Sequence, residues 1–164
     1  MKNVYISPTD GKLSLDEVVE KITWFLSSEP EREYQLVIGT DSQERVIDGV
    51  KLANFVTAVV IHKKGKGGRY FWKNGTKEKV TTIRNKIYAE TVLSIETAKV
   101  LVPKLQERLN GNNKWELEIH IDVGKVGKTR EMIQEVVGMV VGNGYHAKTK
   151  PESFAATSVA DKHA

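Results

Sequence analysis

Leu36-Val37-Ile38-Gly39-Thr40-Asp41-Ser42-Gln43 is the stretch that decides how this chain is read. Its apolar, β-branched run describes a buried strand, and the strand ends on a carboxylate. Such a carboxylate is costly unless a cation or hydrogen-bond donors compensate it. Leu117-Glu118-Ile119-His120-Ile121-Asp122 repeats the arrangement, a second strand closing on an aspartate. Glu90 lies early in a helical pattern between the two, and Asp161 sits on a small-residue helical segment near the C-terminus. Carboxylates in the order strand, helix, strand, helix describe a divalent-metal site, and therefore phosphoryl-transfer chemistry.

Around the first strand the pattern is that of an antiparallel sheet. Residues 34–47 form one long strand, Asp48-Gly49 supplies a hairpin turn, and 51–62 return alongside. The glycine- and lysine-rich segment 63–68 leads into a third strand near 69–73. Upstream, 14–29 read as an amphipathic helix closed by Pro30, with Ser14 and Glu17 in capping-box spacing. Downstream, 83–109 is helical, with Pro103 expected to kink it or start a second helix. Asn110-Gly111-Asn112-Asn113 breaks the chain before a strand over 115–123, a helix over 129–141, a short strand over 145–150 and a last helix over 152–164. The order βββαβαβα after one extra helix predicts an α/β fold, a five-stranded mixed sheet flanked by helices. A single domain is expected over 1–164, with 1–33 as an N-terminal helical extension and 34–164 as the core.

At 164 residues the chain is long enough to bury a proper core. It contains no cysteine, which excludes disulfides, thiolate zinc sites and cysteine nucleophiles. No apolar run approaches the roughly 20 residues that span a bilayer, and the N-terminus lacks a signal-peptide layout. A cytoplasmic protein without a membrane partner is expected. The net charge of +4 is unevenly placed, with His62-Lys63-Lys64-Gly65-Lys66-Gly67-Gly68-Arg69 and Lys73-Asn74-Gly75-Thr76-Lys77-Glu78-Lys79 holding much of the surplus. Clustered cations suit a polyanion, and also suit a solvated hairpin tip.

The placing of Asp41, Glu90, Asp122 and Asp161 resembles the ribonuclease H-like superfamily of nucleases, resolvases and transposases, and Tyr88-Ala89-Glu90 opens its helix as that family's glutamate does. Ile38-Gly39-Thr40-Asp41-Ser42-Gln43, Ile119-His120-Ile121-Asp122-Val123-Gly124 and Lys150-Pro151-Glu152-Ser153-Phe154-Ala155-Ala156 are similar to a bacterial group, the ribonuclease H-like YkuK family. The resemblance implies a nuclease with two Mg²⁺ or Mn²⁺ ions. Asp41 would bridge both ions, Glu90 and Asp122 would hold one, and Asp161 the other; a metal-activated water would attack to give 5′-phosphate products. The physics agrees, since paired cations stabilise the attacking and leaving oxygens of an in-line displacement and carboxylate oxygens suit hard cations. Glu96 is the rival to Glu90. The alternative function is a catalytically silent nucleic-acid-binding or regulatory module with the same fold.

Gly124-Lys125-Val126-Gly127-Lys128-Thr129 imitates a phosphate-binding loop, but Asp122 stands where that motif requires glycine, so nucleotide triphosphatase chemistry is rejected. The helix start can still hold one backbone phosphate, which assigns Lys125, Lys128 and Thr129 to nucleic-acid binding beside Lys63, Lys64, Lys66 and Arg69. The expected partner is RNA, an RNA–DNA hybrid or DNA, bound by a monomer or homodimer. His120 and His163 could lie near the carboxylates, though a hydrogen-bonded core histidine and a terminal histidine are the plainer readings. Tyr70, Trp72, Trp24 and Trp115 read as packing residues.

Overall fold

The computed structural model describes residues 4–109, 115–124, 127, 129–150 and 153. It begins with a hairpin, β1 (Val4–Ser7) and β2 (Gly11–Ser14), whose turn is held by the Ser7 hydroxyl accepting from the Thr9 and Asp10 N–H groups at 3.2 and 3.3 Å. The segment expected to be a helical extension is therefore a hairpin followed by a helix. Strands of four residues are too short for their alternation to stand out in a sequence.

Helix α1 (Leu15–Ser28) starts at a complete capping box. The Glu17 N–H donates to Ser14 Oγ and the Ser14 N–H donates to Glu17 Oε1, both at 3.1 Å. Val18, Val19, Ile22 and Leu26 form its buried face. Strand β3 (Tyr34–Ile47) and strand β4 (Val50–Lys63) make the long hairpin. Its turn places both Asp48 (φ 51°) and Gly49 (φ 77°) in the left-handed region, which matches the strand twist and favours this residue pair. Strand β5 (Gly67–Lys79) runs further than its sequence suggested, crossing an irregularity opposite Asn54 and Val56.

Helix α2 (Ile83–Leu109) runs through Pro103 as one element. Leu101 and Leu105 on either side are wholly buried, so packing offsets the one lost backbone donor. Strand β6 (Trp115–His120), a 3₁₀ turn at Arg130–Met132, helix α3 (Ile133–Gly142) and strand β7 (His146–Lys148) complete the described chain. The expected last helix, 152–164, lies outside the described residues, except for Ser153.

Among the described residues the sheet has seven strands in the order β2-β1-β5-β4-β3-β6-β7, parallel at β3–β6 and β6–β7 and antiparallel elsewhere. The expected mixed sheet stands, and the N-terminal hairpin extends its edge through Ile6 opposite Trp72. The three described helices, α1, α2 and α3, pack on one face against Leu36, Ile38, Val59, Ile61 and Phe71. The other face carries Val37, Val56, Ala58 and Val60, with Tyr70 and Trp72 packed against them.

Two features position the site. The last paired residues of β3 and β6 are Gly39 and His120, so Asp41 and Asp122 each lie two residues beyond, where the central strand has lost that neighbour. Above them Thr40 Oγ1 lies 2.9 Å from Thr57 Oγ1 and 2.7 Å from Ser94 Oγ, tying β3, β4 and α2 together. These small buried hydroxyls satisfy one another and let the helix approach the sheet.

Candidate carboxylate site

Asp41 is 9% exposed, and its Oδ1 accepts the Ser42 N–H at 2.8 Å. Alternation turns the Ser42 side chain to the α2 face, where its Oγ donates to Glu90 Oε2 at 2.6 Å. Glu90 is 5% exposed on the buried side of α2. Asp122 is held by the ammonium of Lys150, 2.7 Å from its Oδ1. The chain after β7 brings that lysine into place by running beside 121–123. The Ile121 N–H donates to the Lys148 carbonyl at 2.9 Å and the Lys150 N–H to the Val123 carbonyl at 2.8 Å. A Cβ on Gly124 would stand 3.2 Å from the Lys150 Cβ, so glycine leaves room for the lysine stem.

The three carboxylates share one field. Burial pushes the Glu90 carboxyl up to about 8, and Asp41 and Asp122 push it the same way, against the Ser42 hydrogen bond and the charge of Lys86. The hydrogen bond and charge of Asp122 raise the Lys150 pKa, to which Asp41 adds. Glu96 is exposed and acts on Lys73 instead. Of the two helical candidates, Glu90 is the one beside the strand-end aspartates.

The donor chemistry, two buried carboxylates and a half-buried third, suits a hard divalent cation that would relieve their mutual repulsion. Among the described residues no group of three or more His, Cys, Asp or Glu side chains stands in a metal-holding arrangement. Asp122 is engaged by Lys150, and Glu90 by Ser42. Asp161 and His163 lie outside the described residues.

A family model described as Ribonuclease H-like matches residues 17–164. The chain belongs to the ribonuclease H-like family. The "Uncharacterized protein YkuK" of Bacillus subtilis (strain 168) is similar to it, 33% identical over 172 residues that cover 97% of this chain and 95% of the relative. No solved structure matches. Membership gives this chain a nuclease-type, nucleic-acid-related fold, and no described helix is long and apolar enough to cross a membrane.

Within this ribonuclease H-like fold, the cations expected to grip nucleic acid are differently placed. Lys63 is opposite Tyr34, seven residues before Asp41 on β3, which puts the basic hairpin roughly 23 Å along the strand from the carboxylates. It is also neutralised. Lys63 Nζ lies 2.7 Å from Glu29 Oε2 and 4.9 Å above the Phe25 ring. Lys66 reaches Glu29, Lys64 reaches Glu33, and Arg69 lies 4.0 Å from Asp10 and over the Trp24 ring. Acids distant in sequence converge on that hairpin, so its charge cannot be read as free.

Thr129 serves the loop itself, its Oγ1 accepting the Gly124 N–H at 3.3 Å. Lys125 and Lys128 lie outside the described residues. His120 is buried opposite Gly39, 3.2 Å from Glu118 Oε1, which also takes a hydrogen bond from Gln35. Burial lowers the His120 pKa. Sequence reasoning missed two members of the site. Neither Ser42 nor Lys150 stood among the residues that the sequence assigned to the site. Their signal was position, one next to a strand-end aspartate and the other at the end of the last strand.

Proposed function

We propose that this protein is a divalent-metal-dependent nuclease that hydrolyses nucleic-acid phosphodiester bonds. The observation that carries the reading is the convergence of Asp41, Glu90 and Asp122 from β3, α2 and the end of β6, with Glu90 driven up to about 8 by burial and by the other two. Acids brought together from separate elements, two of them buried, are a destabilising arrangement, and such arrangements are characteristic of functional sites. Asp41, Glu90 and Asp122, with Asp161, would hold Mg²⁺ or Mn²⁺. When bound, the metal would supply Lewis-acid stabilisation of charge on the phosphate oxygens.

The chain's own groups have separable roles in this reading. Ser42 orients both Asp41, through its N–H, and Glu90, through its hydroxyl. The Thr40, Thr57 and Ser94 hydroxyls fix the spacing of α2 from the sheet and thus the reach of Glu90. Glu90 must give up a proton to become a ligand, so metal affinity rises with pH. Lys150 supplies an exposed positive charge that neutralises Asp122.

The test is cleavage of labelled single-stranded DNA, duplex DNA, single-stranded RNA, an RNA–DNA hybrid and a four-way junction in Mn²⁺ and Mg²⁺. Metal-dependent cleavage that disappears in Asp41→Asn is the expected result. The Lys150–Asp122 ion pair favours a second reading, a nucleic-acid-binding module without turnover, because a lysine there does part of a cation's work. Salt-dependent binding with no cleavage on any substrate would select that reading.

A further inference from the structure

Beyond Asp41 the sheet narrows to a three-stranded ribbon of β3, β4 and β5. Register fixes which residues share each face. Asp41 is opposite Val56, and Val56 opposite Asn74. One rung on are Gln43, Asn54 and Lys77, and the next holds Arg45, Leu52 and Lys79. Laterally paired residues point the same way and alternate residues repeat the direction, so Gln43, Arg45, Lys77 and Lys79 extend the face of Asp41. Glu44 and Glu78 flank Ala53 on the opposite face, where Ala53, Phe55 and Val80 pack with Ala89 and Leu93 of α2.

The ribbon thus sorts its charge by face. The acids take the helix side, where Glu44 Oε2 lies 2.9 Å from Lys51 Nζ. Arg45, Lys77 and Lys79 are exposed on the other side, and among the described residues none of them has a carboxylate within ion-pair distance. That contrasts with Lys63, Lys64, Lys66 and Arg69 at the far end, each matched to an acid. Arg45 lies four residues beyond Asp41, about 13 Å along the strand, and two inter-strand spacings across β4, about 10 Å, separate it from Lys79. A duplex strand rising roughly 3.4 Å per nucleotide would cross that length in about four steps.

We propose that this open face of the ribbon is the surface that holds the nucleic-acid backbone, with Arg45, Lys77 and Lys79 on successive phosphates and Gln43 and Asn54 as hydrogen-bonding neighbours. The inference rests on the nucleic-acid reading of the site, though not on turnover. It assigns recognition to the ribbon that itself carries Asp41, so that substrate position and this first carboxylate are set by one rigid element. Phosphate contacts of this kind position the strand without reading sequence.

The experiment measures affinity for a fluorescently labelled single-stranded oligonucleotide against salt, with Ca²⁺ present and absent, so that no cleavage is required. Each phosphate contact contributes about 0.7 to the slope of log affinity on log salt for single strands, and about 0.9 for duplex. The triple variant Arg45→Gln/Lys77→Gln/Lys79→Gln should flatten the slope by about 2, while Lys64→Gln/Lys66→Gln leaves it unchanged. If the triple variant proves unfolded by circular dichroism, Lys77→Gln and Lys79→Gln singly should each flatten it by about 0.7. An unchanged slope in folded ribbon variants, an equal loss in the far-end double variant, or no binding by the wild-type chain would each overturn the proposal. Flattened slopes with no cleavage in Mn²⁺ would sustain it and remove the nuclease reading.

Discussion

Replacing Glu90 by glutamine should make the protein more stable at alkaline pH and leave it nearly unchanged at acid pH. Below 4.5 the Glu90 carboxyl is protonated both in the fold and in the unfolded chain, so Glu90→Gln swaps one neutral group for another. As pH rises past 4.5 the unfolded chain ionises, while the folded carboxyl follows only near 8. Wild-type stability therefore declines through that window, because the unfolded state is favoured by a charge the native state resists. The span from 4.5 to about 8, at about 1.4 kcal/mol for each pH unit, sets an upper limit of about 5 kcal/mol. Glutamine keeps an oxygen to accept the Ser42 hydroxyl and carries no charge to repel Asp41 or Asp122.

Urea unfolding of both proteins, without divalent metal and at several pH values on either side of the window, provides the assay. The difference in unfolding free energy should grow from near zero to several kcal/mol with an unchanged m-value. Adding Mn²⁺ at the alkaline end should then raise the wild-type curve and leave Glu90→Gln behind, since a cation replaces the missing proton. Two parallel stability curves, separated by the same amount at every pH, would refute the account of Glu90 as a carboxyl held uncharged by its surroundings.

Three other outcomes follow from the packing and the ion pairs. Ser14→Ala removes one arm of the α1 capping box and should cost about 1 kcal/mol in chemical unfolding. Leu105→Ala empties a fully buried position on α2 in the main core and should cost about 2–5 kcal/mol, with the same readout. Glu29 is held at about 2, chiefly by its hydrogen bonds to Lys63 and Lys66. Its contribution is present above 4.5 and lost as pH falls toward about 2, so Lys63→Met/Lys66→Met should return the Glu29 titration, followed by NMR, to the ordinary carboxylate range.

The elements with long, uninterrupted patterns were legible from sequence. β3 with its Asp48-Gly49 turn, α1 with Ser14 and Glu17, and α2 each announce themselves by period and cap. The N-terminal hairpin was not, because Val4–Ser7 and Gly11–Ser14 are too short to show alternation. At the site, Asp41, Glu90 and Asp122 were legible because a carboxylate ending an apolar run or opening a buried helix face stands out. The pairing of Lys63 with Glu29 and of Lys150 with Asp122 was not. Charge neutralisation across distant segments depends on tertiary placement, and composition counts the lysines without showing their partners. The same limit hid the ribbon face, since the register shift between Asn54 and Val56 decides that Lys77 and Lys79 stand with Arg45.

The mixed pairing of β3 also carries a kinetic consequence. Its antiparallel partner β4 is joined to it by a two-residue turn, whereas its parallel partner β6 arrives only after β5 and α2 have been traversed. Closing the short loop costs far less chain entropy than closing the long one. The hairpin of β3 and β4 is thus expected to form early and β6 to dock late, a sequence that pulse-labelled hydrogen exchange would resolve. Asp41 would then wait on a preformed hairpin for Glu90, which joins it through Ser42 across 48 residues, and for Asp122 after that. The three acids would meet only in the final stage of folding, so partly folded chains would be spared most of their mutual repulsion.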